Sequence, residues 1–236
     1  MRAILLAAGM GTRLRPITYE TPKSLIQING KPLIERQIEF LNEIDINEII
    51  VVTGYLNEKF NYLKQKYNVK LVYNDKYNIY NNIYTMYLVR EYLPNSYVID
   101  ADTYLSRNFL EKKLANSTYF AGKKKVDSEE WMLIFDENNK VNDIKISSGE
   151  GYIMSGVSYW SNKDGEYLIK KIEEALVKSE DWHNLYWDNI VKNNIKNLDV
   201  YIKKIDGSDW YEIDSLDDLN KLKLALRSEV ESRGVR

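Results

Sequence analysis

The sequence predicts a single α/β domain built on a mixed, mostly parallel sheet, and three observations carry that reading. Apolar, β-rich runs alternate with helical patterns through the first half, the mark of βαβ units feeding a buried parallel sheet. Beyond about residue 115 the apolar runs crowd together, as antiparallel strands do. The 236 residues suffice for one core, and they contain no repeat, low-complexity tract or Pro/Gly-rich linker where a second domain could begin.

The elements follow in order. Residues 3–8 read as the first strand. Residues 32–44 read as a helix, because Leu33, Ile34, Ile38, Leu41 and Ile44 recur at helical spacing and Pro32 suits a first turn. Strands are expected at 49–53, 69–73 and 97–99, with a helix after Asn81-Asn82-Ile83-Tyr84. In the second half, four short antiparallel strands are expected at 118–122, 131–135, 141–146 and 153–160, joined by turns such as Glu137-Asn138-Asn139-Lys140. The run Lys123-Lys124-Lys125 reads as a solvated loop. Helices near 165–177 and 185–195, a strand at 200–205 and a closing helix from 215 to about 229 complete the pattern.

Composition removes several functions. The absence of cysteine excludes disulfide scaffolds, thiolate metal sites and cysteine nucleophiles. The lone His183 cannot supply a multi-histidine metal site, and any serine triad would have to be built around it. With 33 basic and 35 acidic side chains, the chain lacks the basic excess that a nucleic-acid partner requires. The apolar N-terminal run is shorter than a signal-peptide core, and no stretch reaches the roughly 20 residues that cross a bilayer. A cytoplasmic protein with a small substrate and no membrane partner is expected.

The first strand runs into Ala7-Ala8-Gly9-Met10-Gly11-Thr12-Arg13-Leu14-Arg15-Pro16, and Lys23 follows. Glycines 9 and 11 let backbone N–H groups approach an anion, while Arg13, Arg15 and Lys23 surround it with positive charge. For the two glycines alone, a tight βα turn would be explanation enough. The added cations favour a polyphosphate. The loop is neither of the two commonest phosphate loops: the Walker spacing is missing, and Leu14 stands where a dinucleotide fingerprint needs glycine.

These residues, from Leu6 to Pro16 with Thr18, Pro22-Lys23 and Lys31-Pro32-Leu33-Ile34-Glu35, resemble the signature of the nucleoside-triphosphate-dependent nucleotidyltransferases that make sugar nucleotides and CDP-alcohols. The resemblance implies a single Rossmann-like three-layer sandwich, the nucleotide-diphospho-sugar transferase fold. It also implies that Leu6, Ala7, Ala8, Gly9, Gly11 and Thr12 contact the nucleotide, that Arg13 holds the leaving pyrophosphate, and that Lys23 touches the phosphates at the reacting centre. Residues 1–115 would form a nucleotide-binding half and residues 116–236 an acceptor-binding half of the one domain.

Joining two phosphates calls for Mg2+, which prefers one or two carboxylates plus phosphate oxygens and water. Asp100 and Asp102 end an apolar strand, where open α/β sheets bind ligands. Asp214 is a second candidate, although Asp214 or Ser215 is also a natural N-cap for the last helix. In the resembled family, Asp102 and Asp214 stand at the two positions that hold the catalytic metal. No general base is required, because a phosphomonoester has its second pKa near 6.

The acceptor is read from the second half. Sugar-1-phosphate members of the family carry a Glu-Lys-Pro element there, and here no proline follows Pro94. Aromatic and acidic residues stand instead, and ring faces with nearby carboxylates suit a trimethylammonium group. Trp131, Tyr186 and Asp188, with Asn81-Asn82-Ile83-Tyr84 and Asp100-Ala101-Asp102, resemble the branch of the family that joins CTP to phosphocholine. Trp131, Tyr186, Asp188 and Glu212 are therefore the expected acceptor residues, and each ring has core packing as its plain alternative. Adjacent Tyr186 and Trp187 point in different directions on a helix, so Tyr186 is chosen. Tyr80, Asn81, Asn82, Thr85 and Asp100 are expected to contact the nucleotide, with a helix N-cap as the alternative for the asparagines. Phosphoethanolamine, 2-aminoethylphosphonate or a sugar-1-phosphate as acceptor, and a silent nucleotide-binding regulatory subunit, stay open, as does a homodimer.

Overall fold

The computed structural model describes residues 1–178 and 182–234. In chain order the elements are β1 (Arg2–Ala7), β2 (Gln27–Ile28), β3 (Lys31–Pro32), α1 (Leu33–Glu43), β4 (Ile49–Thr53), α2 (Tyr62–Tyr67), β5 (Lys70–Tyr73), α3 (Asn82–Val89) and β6 (Ser96–Asp100). They continue as β7 (Thr103–Leu105), β8 (Ser117–Phe135), β9 (Val141–Trp160), α4 (Asn162–Lys178), α5 (Trp187–Asn194), β10 (Val200–Ile205), β11 (Trp210–Glu212) and α6 (Leu216–Gly234).

The main sheet has the order β10-β8-β9-β6-β1-β4-β5. β1 lies parallel to β4 and β6, β4 to β5, and β10 to β8. Only β9 runs antiparallel to its neighbours β6 and β8, so the sheet is mixed and mostly parallel and runs without a break through both halves of the chain. The period of two sends Ala3, Leu5 and Ala7 of β1 to the face covered by α1 and α2, and Ile4 to the face covered by α3, α4 and α5. This is a three-layer sandwich. The chain builds β1, β4 and β5 outward, then returns to the other side of β1 as β6. That reversal opens a crevice at the carboxyl ends of β1 and β6, where such sheets take ligands.

A third, smaller cluster joins Leu14 of the glycine loop, Tyr104 of β7, Ile213 after β11, and Leu219 and Leu222 of α6. It ties together three segments that are distant in sequence, and all three border the crevice.

The second half differs from expectation most in its strands. Four short strands are replaced by two long ones, β8 and β9, of 19 and 20 residues, paired as one hairpin with a register irregularity between Val126 and Glu130. The charged middles of these strands lack apolar alternation, but a ladder needs only backbone groups once both ends are held. The hairpin bends so that its tip returns to the sheet: the Ile202 N–H donates to the Asn139 carbonyl at 2.9 Å, and Lys140 pairs with Asp199 at 3.0 Å. Lys124 is thereby in a strand, not a solvated loop. Helix α4 begins at Asn162, ahead of the expected 165, because Ser161 Oγ accepts from the Asp164 N–H at 3.2 Å and caps it. Gly165 serves a close approach instead, since a Cβ there would lie 2.6 Å from Pro94 Cα.

Candidate active site

The glycine loop leaves β1 at the crevice. Gly11 adopts φ +59°, and a Cβ there would press at 3.1 Å on both Lys23 Cβ and Thr18 Cγ2. Thr18 Oγ1 donates to the Gly11 carbonyl at 2.8 Å and fixes the turn. Leu14 is fully buried in the third cluster, which leaves its neighbours Thr12 and Arg13 at the surface.

Asp102 and Asp214 meet because β11 pairs antiparallel with β7, setting Glu212 opposite Thr103. Ser215 caps α6, its Oγ accepting from the Asp218 N–H at 3.2 Å and donating to Asp218 Oδ2 at 2.6 Å. Asp214 is thus left to the crevice. Lys23 Nζ donates to Asp102 Oδ2 at 2.5 Å and also to Asp214 Oδ1, while Arg13 pairs with Asp214 Oδ2 at 2.8 Å. Burial works against the charged form of Lys23, but Asp102 and Asp214 overcome it and hold the ammonium above its ordinary range. Dehydration raises Asp214, and Lys23 and Arg13 outweigh it, so its carboxyl titrates below the usual range.

The same carboxylates leave an oxygen for a divalent cation. Asp102 Oδ1 is buried without a hydrogen-bond partner, a vacant hard-oxygen ligand. Among the described residues no group of three or more acidic or histidine side chains could enclose a metal alone. Two carboxylates with one oxygen spare match Mg2+, which leaves the rest of its shell to phosphate and water.

More acid lines the same crevice. Dehydration, then repulsion from Asp102, Asp188 and Glu212, pushes Asp100 well up. Glu212 is open to the crevice yet crowded around its carboxyl, and dehydration followed by Asp102 and Asp214 pushes it up as well. Lys124 faces this group. Its Nζ lies 3.5 Å from the Trp210 ring centroid and donates to the Trp210 carbonyl at 3.1 Å. Dehydration lowers it to about 8 against the pull of Glu212 and Glu130. Sequence reading passed over this residue. Three identical lysines carry no signal of their own; only the strand period of the folded hairpin exposes Lys123 and Lys125 and turns Lys124 between them inward.

On the other wall, Trp131 and Tyr186 meet edge to face with ring centroids 6.2 Å apart. Tyr186 precedes α5, where its N–H donates to Asn189 Oδ1 at 2.8 Å, and its ring stays 46% exposed. Trp187 turns inward, buried against Trp160 at 5.4 Å. Asp188 accepts from the Tyr119 hydroxyl at 2.8 Å, and with Asp100 it lines a small cavity beside Gly156. Dehydration raises Asp188 to about 6, opposed by the Tyr119 hydroxyl and a backbone N–H.

The asparagine segment is tied to the same wall. Asn82 Oδ1 accepts from the Trp187 N–H at 2.8 Å, and the Asn81 N–H donates to the His183 carbonyl at 2.8 Å. Asn81 Oδ1 caps α3. Thr85 is buried, its Oγ1 accepting from Asn74 Nδ2 at 3.0 Å. Tyr80 stacks on the exposed His183 ring at 4.5 Å.

A crevice at the carboxyl ends of β1 and β6 that joins a glycine loop, two cations and paired acids is the working end of a nucleotidyl-transfer enzyme, and comparison agrees. The family model described as "Nucleotidyl transferase" matches residues 2–227, and the chain belongs to this family. It is 53% identical over 229 residues to the choline-phosphate cytidylyltransferase of Streptococcus pneumoniae, covering 97% of this chain and 100% of the relative. It is 35% identical over 221 residues to the 2-aminoethylphosphonate cytidylyltransferase of Lancefieldella rimae, covering 92% and 89%. The solved CTP:phosphocholine cytidylyltransferase of Streptococcus pneumoniae superposes with a TM-score of 0.93 at 53% identity, over 95% of this chain and 98% of that one. Among the described residues no helix is long and apolar enough to cross a membrane.

Proposed function

We propose that the protein transfers CMP from CTP to phosphocholine, in a Mg2+-dependent reaction that yields CDP-choline and pyrophosphate. One observation carries the choice of acceptor: the Trp131–Tyr186 ring pair stands at the start of α5, whose Asp188 lines a small cavity together with Asp100, two residues before Asp102. A trimethylammonium group donates no hydrogen bonds, so ring faces, each worth roughly 0.5–2 kcal/mol, and nearby carboxylate charge are what can hold it. The identities to phosphocholine-using relatives support the reading.

In this account a phosphocholine oxygen, already ionised at neutral pH, attacks the α-phosphorus of CTP. The bond from that phosphorus to the β-phosphate bridging oxygen breaks, and its electron pair leaves with pyrophosphate. Asp102 and Asp214 would hold Mg2+, which neutralises phosphate charge in such reactions. Arg13, at the open mouth of the glycine loop, meets the departing pyrophosphate, and Lys23 steadies charge at the reacting phosphorus. Leu6 to Thr12, with Tyr80, Asn81, Asn82, Thr85 and Asp100, form the nucleotide side. Trp131, Tyr186, Asp188 and Glu212 form the acceptor side. Residues 1–115 thus serve mainly the nucleotide and 116–236 mainly the acceptor. Supply of CTP places the work in the cytoplasm.

The Lancefieldella rimae relative makes 2-aminoethylphosphonate a second acceptor to test. A primary ammonium prefers carboxylates and carbonyls to ring faces, which favours phosphocholine here. Pyrophosphate release should be measured with CTP, UTP, dTTP and ATP crossed against phosphocholine, phosphoethanolamine, 2-aminoethylphosphonate and glucose-1-phosphate. CTP with phosphocholine is expected to give the highest kcat/KM. Equal use of 2-aminoethylphosphonate would reject the ring cage, and no release with any pair would indicate a regulatory subunit.

A further inference from the structure

The acceptor pocket has a side that neither ring nor acid explains. Ile146 of β9 pairs directly with Trp131 of β8, so the two side chains leave the hairpin on one face with Cβ atoms about 4.5–5.5 Å apart. Two residues inward along β8, on the same face, Leu133 and Ile144 form the corresponding pair, and they are buried at 3% and 0%. Ile146 is 42% exposed, between the exposed polar residues Lys145 and Ser147. The apolar face is therefore sealed at one pair and open at the next, where Trp131 meets the exposed ring of Tyr186.

We propose that Ile146 is the aliphatic wall of the acceptor pocket and sets its preference for a methylated over a bare ammonium. This rests on the phosphocholine reading. Ring faces attract any cation, methylated or not. An aliphatic wall distinguishes the two: it removes water from apolar N-methyl groups at a gain, whereas it removes water from an NH3+ group without offering an acceptor in exchange. Carboxylates such as Asp188 serve both ammonium types and the rings merely lack acceptors for a bare one, so the further discrimination falls to the side chain opposite Trp131.

The test compares KM for phosphocholine, phosphoethanolamine and CTP in the wild type, Ile146→Val, Ile146→Asn and Trp131→Ala. Ile146→Asn should raise KM for phosphocholine about tenfold, keep KM for CTP and phosphoethanolamine within about twofold, and so narrow the preference between acceptors. Ile146→Val, which keeps a branched aliphatic surface, should behave as wild type. An unchanged phosphocholine KM in Ile146→Asn, while Trp131→Ala raises it, would overturn the role of Ile146 alone. An equal rise for both acceptors would also overturn it, because it marks displacement of the hairpin. If Trp131→Ala leaves the phosphocholine KM unchanged, the phosphocholine reading falls and takes the role of Ile146 with it.

Discussion

Asp188 shows how burial at one residue becomes a functional property. Raised to about 6, its carboxyl is ionised at neutral pH and protonated in mild acid. Between its ordinary pKa near 4 and about 6 the folded protein holds the proton more tightly than the unfolded chain does. Asp188 therefore makes the fold less stable as pH rises through that window and contributes no further change above it. Choline carries no titratable group, so its competitive inhibition should weaken as pH falls through about 6, and Asp188→Asn should flatten that profile. An unchanged profile in Asp188→Asn would show that Asp188 is not the titrating group. Residue identity was legible where chemistry and spacing coincide, as in the glycine loop and the Asp100-Ala101-Asp102 run. It was not legible for Lys124 or Ile146, because their meaning depends on which side of a bent hairpin they face.

At the scale of elements, α6 is the brace of the site. Its Leu219 and Leu222 pack with Leu14 and Ile213, which hold the loop bearing Arg13 against the segment bearing Asp214. Leu222→Ala should cost about 2–5 kcal/mol in denaturant unfolding, and it should also lower kcat under conditions where the protein remains folded. Leu41→Ala, equally buried but in the cluster under α1, should cost similar stability without touching kcat. Equal kcat in the two variants would show that the brace does not position the site. The sequence announced β4 and β10 through β-branched residues, β1 through its apolar run, and α1 through its spacing. It hid the length of β8 and β9, since residues 123–126 and 149–151 join the ladder through backbone groups while their side chains look like loop.

The whole molecule turns one topological choice into a place for chemistry. Strand order reverses at β1, and the crevice this opens receives the glycine loop from β1, Asp102 from the end of β6, and Asp214 from the β7–β11 pair. The mixed sheet was readable from alternation, whereas the meeting of Asp102 with Asp214 followed only from the family resemblance, because it depends on a three-residue pairing with no sequence signal of its own. The central claim is that these two carboxylates hold the divalent cation that makes transfer possible. The most direct test is the turnover of Asp102→Asn at saturating Mg2+, CTP and phosphocholine, with the thermal midpoint measured alongside. The account predicts a loss on the order of 10³-fold in kcat with the midpoint retained. Turnover within a few-fold of wild type would contradict it.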